Sequence, residues 1–406
     1  MGLHYRDREL CLGEKNFYPL FPLAKVRHAP FYAYDLDAML SRVQALKSAA
    51  PKNLKTHYAM KANAAEPILR LFQEEGLGVD VVSGGEVRKA LKAGFSARNI
   101  IFSGVGKTRE EIQLAVSSEL GQINVESPQE LERIAATAKA LKKKTRIAFR
   151  MNPDVDPKTH PYITTGFREN KFGMDESFLP KLRALLREHK DHLNLVGITM
   201  HIGSQIRELA PFSAAIRKTL AVYQSFLDEG HAMESFDVGG GLGIPYQENH
   251  EIPSKEISLL QEYGAMISQE LGGLKGNILC EPGRVFVASS GTLVGEVQYV
   301  KETPYKNFLI SDMGIHHLIR PALYQAYHRI LPLLDHPQRS IKQYDIVGPI
   351  CESSDVLGKN RDLPEIFAGE FLAVADAGAY GFTMASQYNE HELPEQLFFR
   401  AGREVR

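Results

Sequence analysis

The chain has 406 residues, more than one hydrophobic core normally holds, so two domains or one large barrel with an appendage is expected. Hydrophobic residues make up 44% and charged residues 24%, which excludes a disordered or fibrous chain. A formal net charge of −1 leaves no global basic field for nucleic acid or anionic lipid, and no apolar run approaches the ~18 residues of a membrane span.

At the start, Met1–Leu10 is polar and charged, without the apolar core of a signal peptide. Cys11, Cys280 and Cys351 lie far apart with no C-x-x-C pair, which argues against a disulfide scaffold or zinc ribbon. A cytoplasmic protein in a reducing compartment is expected. From about residue 54 to 281, short apolar runs alternate with longer amphipathic stretches. The runs are Leu54–Ala59, Gly78–Val82, Ile100–Ser103, Gln122–Val125, Thr145–Met151, Leu193–His201, Ser235–Val238 and Asn277–Glu281. Between them, Ala65–Glu75, Glu86–Ala93, Pro128–Leu141, Phe212–Leu227 and Ile257–Leu271 carry apolar residues at i, i+3 and i+4. The lysine run Lys142–Lys144 reads as a solvated helix end.

Alternating strands and helices imply parallel pairing with right-handed crossovers, and eight repeats point to a closed (β/α)8 TIM barrel. Asn152–Gly173, rich in Pro and Gly, reads as a functional loop after the fifth strand. Beyond Pro282 the pattern turns mainly β, with strands expected in Thr292–Thr303, Phe308–Ile310, Gln343–Val347 and Phe371–Ala375. The division expected is a β domain of residues 1–30 and 283–406 and a barrel of residues 31–282.

Such barrels build their site at the C-terminal ends of the strands. Lys61 follows the first run behind Ala59 and Met60. It is either a lysine reaching solvent or an amine able to form a Schiff base. His201 ends the sixth run, where a satisfied buried histidine is the plain reading; no carboxylate or second histidine at ligand spacing supports a metal. Gly239, Gly240 and Gly241 end the seventh run and are expected to free backbone N–H groups for a phosphate. Glu281 ends the eighth behind Ile278 and Leu279, so it needs a cation: Arg284 or a protonated pyridine nitrogen. An amine, an aromatic face, an anion cradle and a carboxylate on one rim are the equipment for pyridoxal 5′-phosphate.

The motifs extend this. Tyr58–Asn63, Asp80–Glu86, His160–Gly173, His201–Gln205, Gly239–Gly241, Glu281–Arg284, Leu318–Tyr324, Gly348–Asp355 and Asp376–Gly381 occur in the order of one family. The chain resembles the fold-type III pyridoxal-phosphate decarboxylases, which pair an alanine-racemase-like barrel with a β domain. Within them it is most similar to the diaminopimelate decarboxylases. The resemblance implies that Lys61 holds the cofactor covalently and that His201 stacks on its ring. Ser204, the three glycines and Tyr380 would bind its phosphate, and Glu281 would face its pyridine nitrogen. It further implies that Arg284, Arg320, Tyr324 and Tyr380 receive the amino-acid substrate. Glu352 would read the distal amino group, and Cys351 would protonate the carbanion across a homodimer interface with shared active sites. The reaction implied is conversion of meso-2,6-diaminopimelate to L-lysine and CO2, last in lysine biosynthesis.

A relative acting on ornithine, arginine or a carboxylated polyamine is the alternative, and Arg320 argues against it because a second arginine suits a distal carboxylate. A racemase would place an arginine where Glu281 stands. A small barrel that merely carries the cofactor would lack the β domain and the Cys351–Asp355 motif. One departure from the family is Met313-Gly314-Ile315-His316-His317, where an acidic residue is usual; the two histidines are expected at the surface.

Overall fold

A computed structural model of the protein describes residues 2–13, 17–27, 30–156, 170–246 and 252–405. Most of the expected loop over residues 152–173, and of the His160–Gly173 motif, lies outside them. The chain forms two units. One comprises Ala45–Gly243 with Leu259–Gly283; the other comprises Met1–Gln44, Ile244–Ser258 and Arg284–Arg406.

In the first unit the eight expected runs are strands: Leu54–Ala59, Gly78–Val81, Ile100–Phe102, Gln122–Val125, Thr145–Met151, Leu193–Met200, Ser235–Asp237 and Asn277–Cys280. They pair parallel in chain order, and the eighth closes on the first. Polar residues just past strand ends start the crossover helices. Ser83 accepts from the N–H of Glu86, Ser127 accepts from that of Glu130, and Thr108 with Glu111 forms a reciprocal capping box. Inside the barrel, Gln122 Nε2 donates to Asn124 Oδ1 (2.7 Å), Asn124 Nδ2 donates to Ser103 Oγ (2.9 Å), and Ser235 Oγ donates to Gln122 Oε1 (3.1 Å). Slipping any of these strands would orphan a buried polar group, so the chain of bonds pins the register.

The second unit is built on a sheet. Its central strand, Gly291–Glu302, pairs antiparallel with Asn307–Ser311, Phe371–Val374 and Phe31–Asp35. Glu395–Arg400 runs parallel along the other side of Phe31–Asp35. The domain boundary expected at residue 31 therefore falls differently. Every residue of Phe31–Asp35 is buried, so its pattern looks like that of a barrel strand although its partners lie in the sheet. Near the N-terminus, Leu3–Arg6 and Glu9–Leu12 form a hairpin whose Leu10 N–H donates to the Leu333 carbonyl at 2.8 Å. Leu10, Leu12, Tyr18 and Leu20 share a core with Val294, Ala373, Leu397 and Phe399. No helix among the described residues is long and apolar enough to cross a membrane.

Candidate active site

Four neighbouring strands of the barrel, the seventh, eighth, first and second, present Asp237, Glu281, Lys61 and Asp80 at their C-terminal ends. A single tight turn, Met60–Ala62, lifts Lys61 off the first strand. Its Nζ lies 3.2 Å from Oδ2 of Asp80; the lysine side chain is 37% exposed and Asp80 is fully buried. Asp80 Oδ1, Asp237 Oδ2 and Glu281 Oε1 are all buried without a hydrogen-bond partner among the described residues. Burial, then the charges of Asp237 and Asp80, pushes the Glu281 carboxyl well above the usual range, and Lys61 offsets part of that. Asp237 is pushed up to about 6, chiefly by burial, although it accepts the Gly239 N–H at 2.8 Å. Glu281, with its affinity for a proton raised and one oxygen without a hydrogen-bond partner among the described residues, suits a ring nitrogen.

His201 follows the sixth strand. The Gly240 N–H donates to its Nδ1 at 3.2 Å, which places the proton of the neutral ring on Nε2. Loss of water, then the charges of Arg150 and Lys61, hold its pKa well below the ordinary value. The imidazole is therefore uncharged and suited to stack on a flat ring. Ser204 is half-buried three residues on.

The anion-cradle expectation is corrected in part. The Gly239 and Gly240 N–H groups are already engaged by Asp237 and His201, and of the three only the Gly241 N–H has no partner among the described residues. The glycines have a backbone reason instead. Gly239 (φ +68°) and Gly241 (φ +112°) occupy the left-handed region, and a Cβ on Gly240 would overlap the Glu281 carbonyl oxygen. Close packing of the seventh strand's end against its neighbours explains the length of the run. Even so, an amine, a neutral flat ring, an orphaned carboxyl and one open amide fit a pyridoxal group. Elsewhere on the rim, Arg150 Nη1 pairs with Glu126 Oε1 at 2.7 Å. Among the described residues no group of three or more His, Cys, Asp or Glu is placed to hold a metal ion.

The second unit carries a cluster of buried arginines and aromatic rings. Arg284 donates to Tyr246 Oη at 2.9 Å, and its guanidinium lies 4.8 Å from the centre of the Tyr380 ring. Tyr380 itself holds a positive φ of 57°, a strained setting for a residue with a Cβ. Arg320, only 4% exposed, lies 4.9 Å from the Tyr246 ring centre and has no carboxylate partner among the described residues. Tyr324, half-buried, ends the short helix Arg320–Tyr324.

Cys351 and Glu352 are exposed. Glu352 accepts from the hydroxyls of Tyr388 and Ser354 (the latter at 3.0 Å), and these bonds hold its pKa below the usual range. Beneath the loop, buried Asp355 accepts the N–H of Ile315 and of Ile350, each at 2.7 Å. His316 and His317 are not at the surface as expected. They are 1% and 2% exposed, with ring centres 3.7 Å apart and His391 stacked 4.5 Å from His316. Burial pushes them down to about 4 and about 3. They are neutral packing groups, buried because the Asp355 bonds draw their segment inward.

Sequence reasoning gave no role to Asp80, Asp237, Tyr246 or His328. The signal for the first two was present: a single acid inside an apolar strand, Gly78-Val79-Asp80-Val81 and Ser235-Phe236-Asp237-Val238, is costly unless it serves a site. Tyr246 and His328 carry no such mark.

The sequence model of the family described as "Pyridoxal-dependent decarboxylase, pyridoxal binding domain" matches residues 36–288. The protein of Aquifex aeolicus named diaminopimelate decarboxylase is 41% identical over 405 residues, spanning 98% of this chain and 93% of that protein. The solved structure of diaminopimelate decarboxylase from Helicobacter pylori complexed with L-lysine superposes with a TM-score of 0.88. It is 39% identical, covering 95% of each chain. The arginine decarboxylase of Paramecium bursaria Chlorella virus, at 20% identity and a TM-score of 0.83, shares the fold.

Proposed function

Because the chain belongs to the diaminopimelate decarboxylase family of pyridoxal-dependent decarboxylases, we propose that it converts meso-2,6-diaminopimelate to L-lysine and CO2 with pyridoxal 5′-phosphate. The observation that carries the substrate is Arg320, a buried guanidinium without a carboxylate partner among the described residues. Such a cation is costly to bury unless an anion meets it, and the distal carboxylate of diaminopimelate is one that ornithine and arginine lack.

When bound, the cofactor supplies an electron-withdrawing ring that takes up the electron pair left by departing CO2. The chain's own groups do the rest. Lys61 Nζ is the covalent anchor, and Asp80 Oδ2 orients it. His201 offers the cofactor a flat, uncharged face. Glu281, whose burial raises its affinity for a proton, would face the ring nitrogen and share a proton with it, which is the feature that suits decarboxylation over racemisation. Ser204, Gly241 and Tyr380 bind the phosphate. Arg284, Arg320, Tyr324 and Tyr380 take the substrate, and Glu352 takes its distal amino group. Cys351 Sγ delivers a proton to the α-carbon. Its exposure on the single chain supports service to a second copy in a homodimer.

The test is product analysis after incubating the pyridoxal-loaded protein with meso-diaminopimelate, ornithine and arginine in parallel. Lysine should form about 10²-fold or more faster than either diamine product, since the two rival substrates leave a buried arginine unpaired. Comparable turnover of ornithine or arginine overturns the substrate.

A further inference from the structure

His328 is fully buried and takes no part in the reading above. Its Nδ1 lies 2.9 Å from the Ala375 carbonyl oxygen, which can only accept, so Nδ1 carries the proton. Its Nε2 lies 3.3 Å from Nε of Arg320, which can only donate, so Nε2 is the bare nitrogen. The two partners thus fix one neutral tautomer. Burial, then the charge of Arg320, pushes the imidazole down to about 3, in agreement with that assignment. The ring also packs edge-on against Tyr246, with centres 5.3 Å apart at 68°. Tyr246 in turn underlies the Arg320 guanidinium and accepts from Arg284.

We propose that His328 is a positioning residue that, by occupying Nε of Arg320, aims the terminal nitrogens of that guanidinium at the distal carboxylate of the substrate. A guanidinium can meet a carboxylate side-on, through Nε and one terminal nitrogen, or end-on through both terminal nitrogens. With Nε bonded to His328, only the end-on approach remains. The Tyr246 ring fixes the plane. His328, kept neutral, adds no second cation that would bind the carboxylate in competition. This selection of ligands by a carboxylate in one orientation rests on the proposed role of Arg320.

The test compares L-lysine, which retains that carboxylate, with 1,5-diaminopentane, which does not. Binding to the holoenzyme is measured by calorimetry for wild type, His328→Phe, His328→Gln and Arg320→Gln. His328→Phe keeps an aromatic ring but removes both hydrogen bonds. It should weaken lysine about ten-fold, the size of one misaimed charge-assisted contact, and leave the diamine unchanged. His328→Gln, whose amide oxygen can accept from Arg320, should restore much of the loss. In turnover, His328→Phe should raise KM for meso-diaminopimelate more than it lowers kcat. If Arg320→Gln abolishes the preference for lysine while His328→Phe leaves it intact, the positioning role is overturned. If Arg320→Gln itself leaves the preference intact, the carboxylate reading of Arg320 fails instead. Equal losses for lysine and the diamine in a folded His328→Phe mark a merely structural histidine and overturn the proposal.

Discussion

Asp237 and Glu281 close two adjacent strands of the barrel, and the charge of Asp237 raises the affinity of Glu281 for a proton. Two carboxyls buried side by side cannot both ionise cheaply, so the pair carries a proton into the mouth of the barrel. Replacing Glu281 with Gln should leave the cofactor bound but slow decarboxylation by about 10²–10³-fold, the usual loss for one preorganised charged contact. The rate is read by single-turnover CO2 release and the bound cofactor by absorbance. Unchanged turnover removes Glu281 from the chemistry.

Lys61→Ala should abolish covalent cofactor attachment and nearly all turnover, since both the anchor and a proton-transfer amine disappear. Asp80→Asn, which keeps the shape but removes the charge 3.2 Å from Nζ, should cost about ten-fold in kcat with the cofactor retained. Borohydride reduction followed by peptide mapping checks the attachment in both variants, and steady-state turnover checks kcat. A reduced adduct on another lysine in Lys61→Ala overturns the assignment.

Subunit mixing tests the role of Cys351. Lys61→Ala and Cys351→Ala should each be inactive, yet recover about half the wild-type activity per mixed dimer, because two-fold symmetry leaves one of two sites intact. Proven exchange with no recovery makes Cys351 a residue of its own subunit.

Acid stability should follow the buried histidines. His317 and His328 are each held at about 3 in the folded chain, burial being the main cause, against ~6.5 when unfolded. The unfolded state therefore binds these protons first. Their contribution is complete above about pH 6.5 and is lost as pH falls from there toward about 3, by about 1.4 kcal/mol per pH unit for each histidine. Urea midpoints should drop between pH 7 and 5, and His317→Gln should flatten that slope by one proton. An identical slope in the variant shows that His317 does not titrate on unfolding.

The eight barrel strands could be read from sequence because each is a short apolar run bounded by a helix start, and both signals are local. The rim residues Lys61, His201 and Glu281 were readable for the same reason: they sit where such a run stops. The boundary expected at residue 31 misled because Phe31–Asp35, buried along its whole length, pairs in the sheet of the second unit. His316 and His317 misled because their burial depends on Asp355, some forty residues away, bonding the Ile315 N–H. The hold of His328 on Arg320 was invisible for want of any period or motif; it arises from the return of Ala375 to the same spot.

Phe31–Asp35 has a consequence for synthesis on the ribosome. Its two neighbours in the sheet begin at Gly291 and Glu395, so the whole barrel is translated between this strand and its first partner. Until then Phe31, Tyr32 and Tyr34 have no sheet to join, and a nascent chain carries an unpaired aromatic edge of the kind chaperones recognise. The last flank closes only when Phe398 stacks on Tyr34, with ring centres 5.0 Å apart. A chain ending before Glu395 leaves that flank of Phe31–Asp35 without its strand partner.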